Sequence, residues 1–503
     1  MDPLPLWDSA HRRSSIPSLS KSRILAGMQC AKRLYLETYD PDSKDPVDLA
    51  RQAILETGRA FGRAARGRYP GGVTIEEGLR HDRAVDETAA ALSNPATAAI
   101  YEAAFTYAGI RVRVDMLARE QGRWNLIEVK SSAGFKEEYV PDIAIQIHVV
   151  EGAGVPIEKA ILLHVNDEYV WPGGDYDPNL LFAIQDLSVE ARNGIPPVLR
   201  RIEEMRAVLA ESTPPAVPVG PQCRKPYRCQ FHDHCHEGGP EHRVTGLPKL
   251  SPKIYEALVK AAVQDIREIP EDFGGLSELQ WRVRNAVRAG KPYVHPDLST
   301  KLGAIRYPVH FLDFETCNPP LPIIPGTRPF QQTPFLFSDH VLEEDGSTDH
   351  RSYIHPDRTD PRPPLVQALL RALDGEGSIV VYSGFEGRVL GALAEDLPAE
   401  SDRLRHVAGR IVDLHELILH HYYHPDFRGS FSIKRVLPVL VEGLDYSDLV
   451  IREGSQAALA FSDMTDSRVP KRRREALRDS LLAYCRRDTL AMVRLFQTLK
   501  EVS

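Results

Sequence analysis

At 503 residues the chain is long enough for two or three domains with substantial cores. It contains no apolar run of about 18 residues, which excludes a spanning helix, and no apolar stretch follows the N-terminal charges, so secretion is not expected. A formal net charge of -8 does not advertise nucleic-acid binding, yet a phosphate path can be a local stripe of Lys and Arg on an acidic protein.

The first candidate segments in chain order are basic. Arg12 and Arg13, Lys21 and Arg23, Lys32 and Arg33, and the arginines from Arg59 to Arg68 can contribute to such a stripe, as can Lys471 to Arg474 near the end. Further on, residues 112–117 alternate and are β-branched, a short turn passes through Glu120 and Gly122, and residues 124–129 form a second apolar run. That spacing predicts a β-hairpin. Residues two apart in a strand share a face, so Glu128 and Lys130 lie on one side and face Asp115 of the neighbouring strand. The carboxylates suit Mg²⁺ or Mn²⁺, and Lys130 can orient a water or balance transition-state charge. A solvated hairpin with ordinary charges is the plain alternative.

Four cysteines bracket this hairpin. Cys30 precedes it, beside Lys32, Arg33 and Tyr35, while Cys223, Cys229 and Cys235 follow it with five residues between each. Four thiolates can hold a 4Fe-4S cluster or zinc. His232, His234 and His236 add zinc-type donors, but the close Cys-x2-4-Cys pairs usual at zinc sites do not occur. Cys317 and Cys485 read as reduced thiols, and the pattern suits a cytoplasm better than a disulfide framework.

Asp115, Glu128-Val129-Lys130 and the four cysteines together resemble the iron-sulfur subclass of RecB-type PD-(D/E)xK nucleases, over residues 18–240. That group includes the nuclease of CRISPR adaptation and the AddAB subunits. The resemblance implies an α/β restriction-endonuclease-like core and metal held by Asp115, Glu128 and the Val129 carbonyl. It also implies a 4Fe-4S cluster on Cys30, Cys223, Cys229 and Cys235 that staples the two ends of the domain. Gln146 matches the glutamine of the family's Q-x-x-x-Y helix motif, with Val150 at the tyrosine position. Many members carry a histidine ligand on the first core helix; residues 56–62 hold none, and Glu56 is the candidate acid there.

A proline-rich stretch from Pro214 to Pro226 leads into the cysteine triplet, and Gly238 to Pro240 marks an exit. Residues 241–304 are therefore expected as a helical linker, with a helix-hairpin-helix-like fragment around Ile266 and Ile269 as a further reading.

Val309 to Thr316 reads as a buried strand with Asp313 and Glu315 on one face. Burying two carboxylates without a cation is costly, so they are candidate ligands of a two-metal site. The proline-rich stretch from Pro319 to Pro334 can line a substrate channel. Residues 474–499 read as a helix on which Tyr484 and Asp488, four apart, point the same way. Asp488 completes the cage, and the Tyr484 hydroxyl can hold or activate the attacking water. Glu386, after the apolar run 379–381, is the candidate middle acid. Asp413 is a further candidate ligand or supporting acid, and Lys434 can contact a phosphate.

The order D-x-E, middle acid, Y-x-x-x-D is similar to that of the DnaQ-like, or DEDDy, exonucleases of the RNase H-like fold, over residues 305–503. The resemblance implies a mixed-sheet domain that trims 3′ ends. The whole layout resembles bacterial fusions of a RecB-like and a DnaQ-like module. The expectation is an α/β protein acting as a metal-dependent DNA nuclease on single-stranded DNA or frayed ends, with no membrane partner. Two other classes stay open: a nucleic-acid-binding or regulatory protein with one or both sites inactive, and a zinc-stabilised scaffold of a helicase or defence complex.

Overall fold

The computed structural model describes residues 17–46 and 49–503, so Arg12 and Arg13 lie outside the described residues. It is mixed α/β with mixed sheets, in two compact units. One unit runs up to Asp167 and resumes over Tyr176–Glu237; the other comprises Glu168–Asp175 and Gly238–Ser503. Among the described residues no helix is long and apolar enough to cross a membrane.

The first unit is built on a seven-stranded sheet. Its strands are β1 (Leu19–Ser20), β2 (Val73–Thr74), β3 (Ala99–Tyr107), β4 (Ile110–Glu120), β5 (Arg123–Lys130), β6 (Ile157–Val165) and β7 (Phe182–Asp186). They lie in the order β2-β3-β4-β5-β6-β7, with β1 paired to β4. The predicted hairpin is β4–β5, closed by Gln121 and Gly122 with φ 50° and 81°, the left-handed pair that a two-residue loop between right-twisted strands requires. After β5 the helix Tyr139–Gly152 crosses to β6, which runs parallel to β5. Ile143, Ala144, Ile147 and Val150 of this helix join Val114, Leu117 and Leu126 of the sheet in one core.

The second unit holds β8 (Tyr293–Val294), β9 (Val309–Cys317), β10 (Thr333–Leu342), β11 (Thr348–Ile354), β12 (Ile379–Val381), β13 (Ile411–Asp413) and β14 (Tyr422–Tyr423). Five of them form a sheet in the order β11-β10-β9-β12-β13. Pairing is antiparallel from β11 to β9 and parallel from β9 to β13. The period-two rule divides β9 between two cores. Leu312 and Phe314 pack with the helices Arg362–Ala372 and Phe385–Asp396. Val309, Phe311 and Cys317 join the opposite core, with Leu481, Cys485 and Met492 of the 32-residue helix Lys471–Val502. Asp313 and Glu315 belong to that second face. Beside Glu315 the β10 register slips between Pro334 and Leu336, and a bulge is where a sheet tolerates proline.

Residues 241–304 carry the helices Pro252–Lys260 and Glu278–Ala289, and their Val244, Leu258, Ile266 and Val283 belong to the same core as β9. The expected linker segment therefore lies inside the second unit. So does Glu168–Asp175, where Trp171 donates its backbone N–H to the Thr327 carbonyl (3.0 Å) and accepts that of Gly326 (2.7 Å).

Candidate functional site

The first unit's acidic site forms where β4, β5 and the helix Tyr139–Gly152 meet. Asp115 Oδ2 accepts the Val129 N–H at 2.8 Å, which fixes one carboxylate against the neighbouring strand. Glu128, 1 % exposed, accepts from Lys130 Nζ at 2.5 Å and from Gln146 Nε2 at 2.7 Å. Thus Asp115, Glu128 and Lys130 come together as the spacing implied, and Gln146, matched through the helix motif of the resemblance, joins them. Gln146 Oε1 is buried with no partner, a polar atom still open to a donor or cation.

Three residues of this site were not read from the sequence. Asp142, one turn before Gln146, accepts from Lys130 Nζ at 2.7 Å, Gln146 Nε2 at 3.0 Å and Lys21 Nζ at 3.0 Å. Lys21, expected on a surface stripe, is a partner of Glu128 at 3.4 Å and keeps only 20 % of its side chain exposed. Glu102 of β3 acts electrostatically on Asp115 and has φ 58°, a conformation a glutamate holds only at a cost. Glu56, by contrast, is exposed on the helix Leu49–Ala65. Of the other basic segments, Arg33 pairs with Glu37 at 2.9 Å and Arg66 with Glu102 at 3.6 Å.

Burial is the main charge effect here. It pushes Glu128 up to about 7, helped by Asp115 and Asp142 and resisted by Lys130 and Lys21. Burial opposes the charge on both lysines, but Asp142, Glu128 and Asp115 outweigh it and keep Lys21 and Lys130 protonated. Burial would also raise Asp142, yet Lys21 and Lys130 hold its carboxyl well below the usual range.

The cysteine site joins the two ends of the same unit. Cys30 separates the helices Lys21–Gln29 and Ala31–Tyr39. Cys223 ends a short 3₁₀ turn, its carbonyl accepts the Cys229 N–H at 2.8 Å, and Cys235 lies on the helix His232–His236. Burial raises the Cys229 and Cys235 thiols, and Cys223 and Cys30 add to the effect in both. The four sulfurs therefore share one neighbourhood. Gln29 Nε2 ties it together by donating to the carbonyls of Gln222 (2.7 Å), Lys225 (3.1 Å) and Tyr227 (2.7 Å). His232 Nδ1 is committed to Asp233 at 2.8 Å.

The second unit's acids converge from three elements. Asp313 and Glu315 come from β9, Glu386 from the first turn of Phe385–Asp396, and Asp488 from Lys471–Val502. Burial raises Asp313 well above the carboxylate range, and Asp488, Glu315 and Glu386 raise it further. Glu315 is raised in the same way, with Lys434 the cation that opposes. Burial pushes Glu386 up to about 8 and Asp488 up to about 6. Glu386 Oε2 is buried with no hydrogen-bond partner. Among the described residues, ligand atoms of Asp313, Glu315 and Cys485 lie within 4.8 Å of one another. The Cys485 thiol donates to Asp313 Oδ2 at 3.3 Å, so this cysteine is more than packing.

Tyr484 faces the acids as expected and accepts from Lys434 Nζ at 3.2 Å. Tyr446, from the segment after the helix Ile433–Leu440, donates to Asp488 Oδ1 at 2.5 Å. Burial and the neighbouring acids push both phenols far above their usual range, so each stays a hydrogen-bond donor. Asp413 is engaged otherwise than as a ligand: its Oδ1 accepts the N–H groups of His415 (2.9 Å), Glu416 (3.3 Å) and Ser383 (3.0 Å). It caps Leu414–His421 and holds the turn, with Ser383 at φ 108°, that delivers Glu386. Asp413→Ala is expected to cost about 1–2 kcal/mol in urea unfolding, with a smaller loss of Mn²⁺ affinity than Glu386→Gln gives.

Residues 310–432 match a family model described as Domain of unknown function (DUF2779). The match spans Asp313, Glu315, Glu386 and Asp413 and ends before Lys434, Tyr484 and Asp488. No curated protein matches the chain significantly.

Proposed function

We propose that the chain is a metal-dependent DNA nuclease with two sites. One observation carries the reading: buried Glu315, Glu386 and Asp488 converge with half-buried Asp313, opposed by Lys434, Arg388 and an Arg487 already paired with Asp448, which leaves an excess of negative charge that folding tolerates when divalent ions neutralise it. The β11-β10-β9-β12-β13 order, antiparallel then parallel, supports the RNase H-like reading of this unit. In the first unit, the β3-β4-β5 meander followed by a helix and parallel β6 supports the PD-(D/E)xK reading.

Two hard cations on Asp313, Glu315, Glu386 and Asp488 would polarise a phosphodiester and acidify a water. The protein's own part is positional. Tyr484, kept as a phenol, donates to the attacking water and orients it, while Lys434 fixes the tyrosine oxygen. The water's proton would leave to solvent, because Glu315 is engaged in holding the cations. The water oxygen bonds to phosphorus as the bond to the penultimate 3′ oxygen breaks, and that oxygen takes a proton from solvent. Lys434→Ala is expected to lower kcat at this site by about ten- to a hundredfold with a smaller change in KM; steady-state digestion in a Lys130→Ala background measures it.

The cysteine geometry supports a 4Fe-4S cluster. Cys30, Cys223, Cys229 and Cys235 are brought into one neighbourhood, and four thiolates from both ends of a domain suit such a cluster. In the first unit Asp115, Glu102, Glu128 and the Val129 carbonyl are the available oxygen donors. A regulatory, DNA-binding role for this unit is the second reading, because Lys21 and Lys130 already neutralise Glu128 and Asp142. The test is digestion of end-labelled single-stranded DNA with Mn²⁺. Lys130→Ala and Asp313→Ala should each remove one component; full activity in the double variant would end the nuclease reading.

A further inference from the structure

The helix Lys21–Gln29 has one end in each site of the first unit. It rises from β1, whose Leu19 and Ser20 pair with Ile110 and Arg111 at the start of β4, the strand that carries Asp115. Ser20 caps it by accepting the Arg23 N–H at 3.3 Å. Its first residue, Lys21, reaches Glu128 and Asp142. Its last residue, Gln29, is bonded to three carbonyls of the cysteine-bearing loop, and the next residue is Cys30. Nine helical residues span about 13 Å as a stiff rod. Close packing guides the rod along its side: a Cβ on Gly27 would stand 2.7 Å from Met205 Sδ, so the glycine lets the methionine end lie against the helix.

We infer that this helix couples the cysteine site to the acidic site, with Lys21 as a positioning residue whose ammonium is held between Glu128 and Asp142 only while Cys30 is anchored. The inference rests on the nuclease reading of this unit. Lys21 bonds Glu128 through 3.4 Å contacts to both carboxylate oxygens, the same oxygens a divalent ion would use. Anchoring Cys30 therefore keeps a competing positive charge on Glu128 and orients its carboxylate. Releasing Cys30 loosens the helix end, withdraws Lys21 and leaves Glu128 and Asp142 to Lys130 and the uncharged Gln146. Metal affinity and cluster occupancy are then linked through a single side chain.

The test is Mn²⁺ binding by electron paramagnetic resonance on the full chain, scored as the component that Glu128→Ala removes. Lys21→Ala should tighten that component by about tenfold, the effect of removing one unit charge from a partly buried site, with the visible absorbance of the cluster unchanged. Stripping the cluster with a chelator should tighten the wild-type chain to the same degree and leave Lys21→Ala unmoved. An equal shift in both chains, or none in the wild type, overturns the inference. Should the stripped chain lose its helical circular dichroism, Gln29→Ala in cluster-loaded protein decides: tightening that vanishes in the Lys21→Ala background supports the link, and unchanged affinity overturns it. Absence of any Glu128-dependent Mn²⁺ binding overturns the nuclease reading of this unit and the inference with it, whereas Glu128-dependent binding indifferent to the helix overturns the inference alone.

Discussion

Asp313→Ala is expected to lower metal-dependent hydrolysis at the second unit by about a thousandfold, since a carboxylate that would hold the catalytic cations supports several kcal/mol of transition-state stabilisation. The same substitution should make the metal-free protein more stable. Burial disfavours the Asp313 charge most, and Asp488, Glu315 and Glu386 all raise it further. Removing it takes out one of four carboxyls that must otherwise be neutralised when no cation is bound. A residue kept for packing or for an ion pair would behave in the opposite way, because its loss destabilises the fold. Thermal unfolding with and without EDTA, beside a single-turnover digestion in a Lys130→Ala background, reads both effects. An alanine variant that is less stable without metal and equally active would contradict the two-cation reading.

The second large effect is on pH. Glu386 is pushed up to about 8 and Asp488 up to about 6, while unfolded carboxylates titrate near 4. The folded metal-free unit therefore binds more protons than the unfolded chain across this window. The stability these two carboxyls contribute is fully present below about pH 4 and is lost as the pH rises towards 8. The second unit's Tm without metal should fall by about 10 °C between pH 5 and pH 8. Saturating Mn²⁺ should restore most of that loss, and its stabilising effect should be largest at the alkaline end, where protons no longer compete. Glu386→Gln should flatten the metal-free profile. A profile that is already flat in the wild-type chain would mean that the four acids are neutralised by some other means.

The parts of these sites governed by short-range periodicity were legible in the sequence. Asp115 and Glu128 meet because a two-residue turn sets the register of β4 against β5, and alternation then decides which side chains share a face. Asp313, Glu315, Tyr484 and Asp488 follow from periods of two and of four. What stayed hidden depends on tertiary placement. Lys21 lies 107 residues from Glu128, and in a basic segment it looks like a surface residue. Asp142 sits one turn before the predicted Gln146 in a helix so apolar that an acid in its first turn reads as its solvent side. Tyr446 comes from a segment with no periodicity at all. Asp413 has a signal that was available, an acid at the end of a strand just before a helix, which is the signature of an N-cap. Glu102 had none, because a positive φ for glutamate is imposed by its neighbours in the sheet.

The short segment Glu168–Asp175 has a practical consequence for anyone who would divide this protein. The backbone leaves the first unit at Asp167, contributes Trp171 to a pair of backbone hydrogen bonds with Gly326 and Thr327, and returns before finally departing after Glu237. A single scission near residue 237 would strand that segment on the amino-terminal fragment and leave two partners of the carboxy-terminal fragment open to water. Each half would then be judged in a damaged form, so assigning activity to one half or the other is a task for point substitutions in the intact polypeptide.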